Sequence, residues 1–305
     1  MGKIYAIGES LIDIIFSEGN VKVAKAGGSM LNSAVSLGRA GLPVFFLSEY
    51  GNDKAGAFVS DFLKNNGVNI DFIHQYLHGK TPLALAFLNE KGDASYDFYK
   101  LYPKERLQLR MPDFKENDLF LFGSFFGLDP AVRTKLIEIA EQARSSGAII
   151  VYDPNFRSPH AHQLEELRPR ILENMELASI IKASNEDMEL IFGHCDPAQL
   201  RKLPQLQNKP LIITQGAKGA RLVSGWLDNT YPARKIEVVS TIGAGDNFNA
   251  GLIYGLVKEN VTLQNLTRLN TGQWGKIIGL AMAFAANVCQ SYDNYISPNF
   301  AKTLS

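Results

Sequence analysis

Cysteine is scarce: the 305-residue chain has two, Cys195 and Cys289, which form neither a CxxC pair nor a zinc-ligand spacing. So few thiols exclude a disulfide framework and point to a reducing compartment, which we read as the cytoplasm. Net charge is missing as well, because 31 lysines and arginines balance 31 aspartates and glutamates. No summed field then draws the chain to nucleic acid or to an anionic membrane, and the expected partner is a small neutral or mildly anionic molecule. Long apolar runs are absent too. The opening "MGKIYAIGESLIDIIF" is interrupted by Glu9 and Asp13 and is followed by no small-residue cleavage site, so neither a signal peptide nor a membrane span is expected. Ala6 stands where a myristoylated chain needs Ser or Thr. Repeats, low-complexity tracts and linkers are lacking.

What is present, 46% hydrophobic and 20% charged residues, suits one large globular domain. From about residue 118 short β-rich runs alternate with amphipathic ones. The strand candidates are "DLFLFG" (118–123), "AIIVYD" (148–153), "SIIKAS" (179–184), "PLIITQ" (210–215) and "ARLVS" (220–224); helices are expected at 130–146, 164–177, 185–192, 244–259 and 273–291. Continuous apolar strands separated by helices make a parallel sheet covered on both faces, so the fold class is α/β. Earlier in the chain, "LIDIIF" (11–16), "LALAFLNE" (83–90) and "SYDFY" (95–99) read as strands, the last two joined only by the "KGD" turn, with helices near 30–40 and 55–66. These strands predict a small antiparallel flap inserted into the sheet domain.

Ligands of open α/β sheets bind beyond the carboxyl ends of the strands, so the residues leaving each strand are the candidates. They are Ser124, then Asp153, Asn155 and Arg157, then Asn185, then Thr214, Gln215 and Gly216. One polar exit is ordinary turn chemistry; four on one edge indicate a site.

The stretch "STIGAGDNFNAG" (240–251) belongs to the same edge. An extended "ARKIEVVS" leads into it, and a helix follows whose Phe248, Leu252, Ile253, Leu256 and Val257 share a face. Gly243 and Gly245 let an anion approach backbone N–H groups where the helix dipole is positive. Asp246 has two readings: a helix-dipole aspartate in an ordinary turn, or the base that takes a proton from a substrate hydroxyl attacking a γ-phosphorus. Its helix-terminal position predicts an ionised, weakly basic carboxylate, tolerable because phosphoryl transfer depends more on positioning than on early deprotonation. A dinucleotide fingerprint fails at Phe248, where its third glycine is required, and a P-loop fails for want of Lys followed by Ser or Thr.

At these residues the chain resembles the ribokinase-like (PfkB-type) carbohydrate kinases. Their signature D-T-x-G-A-G-D is matched by Thr241, Gly243, Ala244, Gly245 and Asp246, with Ser240 at the first aspartate. Their N-terminal signature is matched by "GGSMLNSAVSLGRAG" (27–41), and "GNDKAG", "DPNFR", "SNEDMELIFG" and "TQGAKGA" follow in the family's order. The resemblance spans nearly the whole chain. It implies a Rossmann-like, mostly parallel sheet with a β lid built from insertions at about 10–26 and 80–110. It also implies ATP, magnesium and phosphorylation of a sugar hydroxyl. Asp246 would be the base and Gly243, Ala244 and Gly245 the anion hole. Asp13, Gly27, Gly28 and Asn32 would hold the sugar, while Asn185, Thr214, Gly216, Gly219 and Thr241 would border the nucleotide. In "DPNFR", Pro154 keeps Asp153 extended so that its carboxylate can enter the crevice, and Arg157 would face phosphate with its planar fork. That motif is typical of the fructokinase-like and 2-keto-3-deoxygluconate kinase-like branches.

The departures from the family pattern carry information. Ser240 replaces an aspartate linked to a monovalent cation, which leaves a potassium requirement open. The metal-region N-x-x-E gives Met188 when counted from Asn185 and Asp187 when counted from Ser184, so Asp187 is the magnesium candidate, flanked by Glu186 and Glu189. "SYDNYISP" replaces the glycine–alanine that many relatives carry before the last proline. In "GDASYDFYK", Ala94 stands where many fructokinase-like relatives have arginine, which favours a neutral sugar over a sugar acid, with Lys100 arguing the other way. His160 and His162 lack further ligands for a metal, His194 beside Cys195 reads as a helix end, and Phe125 and Phe126 read as core or as a wall of the sugar site. The expectation is an ATP-dependent kinase of fructose, with 2-keto-3-deoxygluconate, ribose and nucleosides as alternatives. A catalytically weak sugar-binding regulatory protein is the rival from another class, and a homodimer is a further expectation.

Overall fold

The computed structural model describes residues 2–88, 94–156 and 158–304, and among them thirteen strands fall into two sheets. In chain order the strands are β1 (Ile4–Ile7), β2 (Leu11–Ser17), β3 (Asn20–Gly27), β4 (Val44–Gly51), β5 (Val68–Tyr76), β6 (Lys80–Leu88), β7 (Ala94–Leu101), β8 (Leu119–Gly123), β9 (Ile149–Asp153), β10 (Ile180–Ser184), β11 (Leu211–Thr214), β12 (Ala220–Val223) and β13 (Asp228–Tyr231). The larger sheet has the order β13-β12-β11-β10-β9-β8-β1-β4-β5, with the β11–β12 and β12–β13 pairs antiparallel at one edge and the remaining pairs parallel.

Period-two alternation divides the side chains of this sheet between two cores. Ile4, Ala6, Leu119, Leu121, Ile149 and Val151 face one, while Tyr5, Ile7, Phe120, Phe122, Ile150 and Tyr152 face the other. On the first side pack α1 (Ser29–Arg39), α2 (Lys54–Asn65), α7 (Ala244–Lys258) and α8 (Thr271–Cys289); on the second pack α3 (Pro130–Ser145), α4 (Leu164–Leu177) and α5 (Asn185–Phe192). Two short helices, α6 (Pro197–Leu200) and α9 (Pro298–Lys302), complete the set. Burial on both faces explains why β8 to β11 read as unbroken apolar runs.

The smaller sheet has the order β3-β2-β6-β7. Its two hairpins are antiparallel, but the central pair, β2 and β6, is parallel, a refinement of the predicted antiparallel flap. The cause is topological: β2 follows β1 and β6 follows β5, and β1 and β5 point the same way in the larger sheet. The "KGD" turn lies outside the described residues. Two further differences from expectation have local causes. β1, β3, β4, β5 and β13 are additional strands, and "ARKIEVVS" forms none. Val239 and Ser240 of that segment donate their N–H groups to the Cys289 carbonyl, not to a neighbouring strand.

Candidate active site

Four carboxyl-end features of the larger sheet converge with the start of α7. Gly243 caps that helix in the left-handed region (φ 78°) with no side-chain cap, so first-turn N–H groups remain available to an anion. A Cβ on Gly243 would stand 3.0 Å from the Asn294 carbonyl oxygen, and one on Gly245 would stand 3.2 Å from Lys182 Nζ. The glycines therefore admit a protein wall on one side and an ammonium on the other. Ala244 N–H is the exception among these amides, donating to the Thr241 carbonyl at 3.2 Å, while the Thr241 side chain stays exposed.

Asp246 is buried at this turn. Its Oδ1 accepts from Ser29 Oγ at 2.5 Å and its Oδ2 from Asn32 Nδ2 at 2.8 Å, while its carbonyl accepts from Ser33 Oγ at 2.7 Å. Burial raises its pKa, opposed by the Asn32 and Ser29 hydrogen bonds. The expectation of a weakly basic carboxylate is thus corrected: desolvation outweighs the helix terminus and makes Asp246 a stronger base. Asn32 Oδ1 is buried and has no hydrogen-bond partner among the described residues, a free acceptor beside this base.

Lys182 was not foreseen. It lies 2.8 Å from Asp153 Oδ2, with side-chain exposures of 4% and 1%, so the pair is out of water. Asp153 also accepts from Asn249 Nδ2 at 2.7 Å and from Asn155 N–H at 3.1 Å. Its carboxylate consequently turns inward and does not enter the crevice, which corrects the substrate role expected for it: a buried ammonium needs an anion in contact. Asn155, at φ 41°, instead reaches Ser29 Oγ at 3.2 Å. Arg157 lies outside the described residues.

Asp187 is corrected too. Its Oδ1 accepts from Phe156 N–H and its Oδ2 from Ser184 N–H and Oγ, each at 2.7 Å, completing a capping box on α5. Oδ2 is engaged in that cap and Oδ1 by Phe156 N–H, so Asp187 does not fit a direct magnesium ligand. Among the described residues no three His, Cys, Asp or Glu side chains are grouped to hold a metal, and His160 stacks on Phe125 at 4.2 Å. Asn185 is the first residue of α5 beside that cap. At the end of β11, Thr214 precedes a turn in which Gln215 N–H donates to the Gly219 carbonyl. Gly216 and Gly219 take positive φ there, and a Cβ on Gly219 would meet the Tyr231 carbonyl oxygen at 2.0 Å.

The smaller sheet contributes Asp13, opposite Lys25 in the β2–β3 pair. A Cβ on Gly27 would stand 2.0 Å from Asp13 Oδ2, and one on Gly28 would stand 2.1 Å from the Glu9 carbonyl oxygen, so both glycines make room where β3 enters α1. Burial pushes the Asp13 carboxyl up to about 6, with Lys25 pulling it down and Asp246 and Glu9 pushing it up. Where Asp13 accepts from a substrate hydroxyl, as the resemblance implies, protonation removes that acceptor, and kcat/KM should fall about tenfold per pH unit below about 6. The folded pKa is raised from 3.8, so any stability Asp13 contributes is present below that value and lost as pH rises to about 6. Asp13→Asn should then raise the thermal midpoint at neutral pH while flattening this limb of the profile; a variant that keeps the limb shows that another group titrates.

Ion pairs join the two sheets. Lys100 of β7 lies 2.6 Å from Glu9, Tyr102 also donates to Glu9, and Arg106 pairs with buried Glu49 while covering the Tyr102 ring. A cavity of about 610 Å³ lies elsewhere, lined by Lys3, Asn117, Asp118 and Val257 at the amino ends of β1 and β8. Strand polarity assigns ligand chemistry to the opposite end.

Comparison with known proteins agrees with this geometry. A match to the pfkB family carbohydrate kinase covers residues 1–299. "Probable fructokinase-6, chloroplastic" of Arabidopsis thaliana is 30% identical over 280 residues, 87% of this chain and 73% of that one. Aminoimidazole riboside kinase of Salmonella typhimurium is 29% identical over 265 residues, 85% and 82% of the two chains. The crystal structure of aminoimidazole riboside kinase from Salmonella enterica with aminoimidazole riboside and an ATP analog superposes with a TM-score of 0.83 at 25% identity, covering 99% of each chain. A double mutant of fructokinase from Vibrio cholerae with fructose, ADP and potassium bound shares the fold, with a TM-score of 0.85 at 20% identity over 100% and 98% of the two chains. Among the described residues no helix is long and apolar enough to cross a membrane. The glycine turn, the buried aspartate and a family match over nearly the entire length lead to one conclusion: the chain belongs to the pfkB family of carbohydrate kinases, phosphotransferases that act on a sugar hydroxyl.

Proposed function

We propose that the protein transfers the γ-phosphate of ATP to a hydroxyl of fructose. The observation that carries this reading is Asp246, a basic carboxylate buried at an uncapped helix start with the Lys182 ammonium beneath the same turn. The sugar lies between Asp13 and Asp246, and Asn32 Oδ1 accepts from one of its hydroxyls. As the attacking oxygen bonds to the γ-phosphorus, its proton passes to Asp246 and the bond to ADP breaks. The N–H groups around Gly243, Ala244 and Gly245, reinforced by Lys182, receive the developing charge. Thr214, Gly216, Gly219, Thr241 and Asn185 border the nucleotide, which brings magnesium held chiefly by its own phosphates and by water. The smaller sheet acts as a lid over the sugar, within a single kinase domain.

Neutral sugar is favoured over sugar acid because Ala94 stands in place of an arginine and Lys100 of the same strand is paired with Glu9. A riboside is the second reading, supported by exposed Phe98, which β7 presents on the same face as Asp13 and which could stack on a planar base. The exposed Val21, Val23 and Leu101 of the same sheet suit a homodimer, and the two free cysteines suit the cytoplasm. ADP release by the pure protein with ATP and magnesium should be stimulated most by fructose among fructose, ribose, 2-keto-3-deoxygluconate and adenosine. Preference for adenosine would establish the riboside reading. Sugar binding without ADP release would establish a regulatory protein.

A further inference from the structure

The face of the smaller sheet that carries Asp13 buries a lysine that none of the steps above uses. Lys25 of β3 is 8% exposed, and its ammonium donates to the Tyr292 carbonyl oxygen at 2.7 Å and to Asn294 Oδ1 at 2.9 Å. Both contacts are neutral oxygens; Asp13 and Asp293 act on the ammonium only through their fields. A unit positive charge held by a backbone carbonyl and an amide oxygen, away from water, has the surroundings of a bound monovalent cation.

The loop that Lys25 grips, 290–296, forms the wall behind the phosphate turn. The Asn294 carbonyl accepts from Asn247 Nδ2 at 2.7 Å and is the atom that a Cβ on Gly243 would approach at 3.0 Å. At the start of the loop, the Cys289 carbonyl accepts from Val239 and Ser240 N–H, in the segment leading into the turn. At its end, Ile296 N–H donates to Ser36 Oγ at 3.0 Å. Ser240 offers a cation only a hydroxyl, which already accepts from Ile242 N–H. Ser240 thus lacks the negative charge with which an aspartate would balance a bound cation, and the positive charge seated on this loop is the Lys25 ammonium.

We propose that Lys25 is a positioning residue whose ammonium serves as a built-in monovalent cation: it fixes the 290–296 loop against the Gly243 turn, and the enzyme therefore works without added potassium. This inference rests on the kinase reading above.

The test uses the full chain as wild type, Lys25→Ala and Lys25→Met, in potassium, ammonium or tetramethylammonium salts. Sugar-dependent ADP release and thermal midpoints are both read. Wild-type turnover should be the same in all three salts. Without potassium or ammonium, Lys25→Ala should be at least about tenfold slower, the scale of a misplaced reacting group. Either small cation should restore it several-fold and should raise its midpoint, as a ligand for the native state does, with no such rise in wild type. Several-fold stimulation of wild type by potassium overturns the proposal. So does full activity of a folded Lys25→Ala in tetramethylammonium, or impairment that neither cation relieves in either measurement. If neither variant folds, the wild-type comparison decides alone. If wild type phosphorylates no sugar, the kinase reading has failed, and the cation dependence of the midpoints still judges Lys25.

Discussion

Asp246→Asn should yield a folded protein that still binds ATP but turns over at least ~10²-fold more slowly, because among the described residues no other carboxylate bonds to the Ser29 hydroxyl and the Asn32 amide at the proposed anion hole. Folding should survive, and the sign of the pKa shift says why. Burial raises the Asp246 pKa, so the ionised form costs stability as pH rises above the ordinary carboxylate range, and a neutral amide is spared that cost. Ser29 can rotate to accept from the new amide, since a hydroxyl both donates and accepts. The acid limb that Asp246 imposes on kcat should disappear in the variant, leaving only the limb attributed to Asp13. ADP release and calorimetric nucleotide binding decide the matter. Turnover within a few-fold of wild type would show that Asp246 is not the base.

A second large effect is expected at Lys182, and it falls first on stability. Lys182→Met leaves the Asp153 carboxylate buried with only Asn249 Nδ2 and Asn155 N–H as donors, so unfolding free energy should drop by about 3–5 kcal/mol. Denaturant midpoints measure this directly. Adding Asp153→Asn removes the orphaned charge and should restore much of the stability. Activity should stay low in the double variant, because the ammonium beneath Gly245 is still missing. A double variant that regains both would reduce the pair to a structural ion pair. A single variant that loses less than about 1 kcal/mol would mean that water reaches Asp153.

The parts of the fold legible in the sequence were those where one physical cause dominates. β8 to β11 are covered on both faces, and their apolar runs match the observed strands to within a residue or two. β4 holds "VFFLSEYG", whose buried Glu49 looks like a surface residue until Arg106 arrives from elsewhere in the chain. β3 has five exposed residues in succession, and β13 is a short polar edge strand, so neither has a hydrophobic signal to read. The glycine turn and Asp246 were visible because a backbone requirement leaves a mark on local sequence. Asp153 was assigned its direction from Pro154, yet contact with Lys182, 29 positions away, decided it. The one available hint was a lysine inside the otherwise apolar "IIKAS", since a charge in a strand buried on both faces must have a partner. Ser29, Ser33, Asn249 and Lys25 left no such mark; tertiary contacts alone give them partners.

Ser29, Asn32, Ser33 and Ser36 project from α1, and each bonds to Asp246 or Asn247 of α7. The two helices are thus pinned together at the start of α7 by polar contacts, whereas the smaller sheet packs on the first core through apolar Ile12 and Ala26. On the function proposed above, proton removal belongs to this helix pair, while exposed side chains of the smaller sheet face the acceptor. Substitutions among the strands carrying Phe98 and Val23 can change which acceptor is admitted without altering the geometry of proton removal. A scaffold divided in this way can acquire new substrates by drift at one sheet while its turnover machinery is inherited intact.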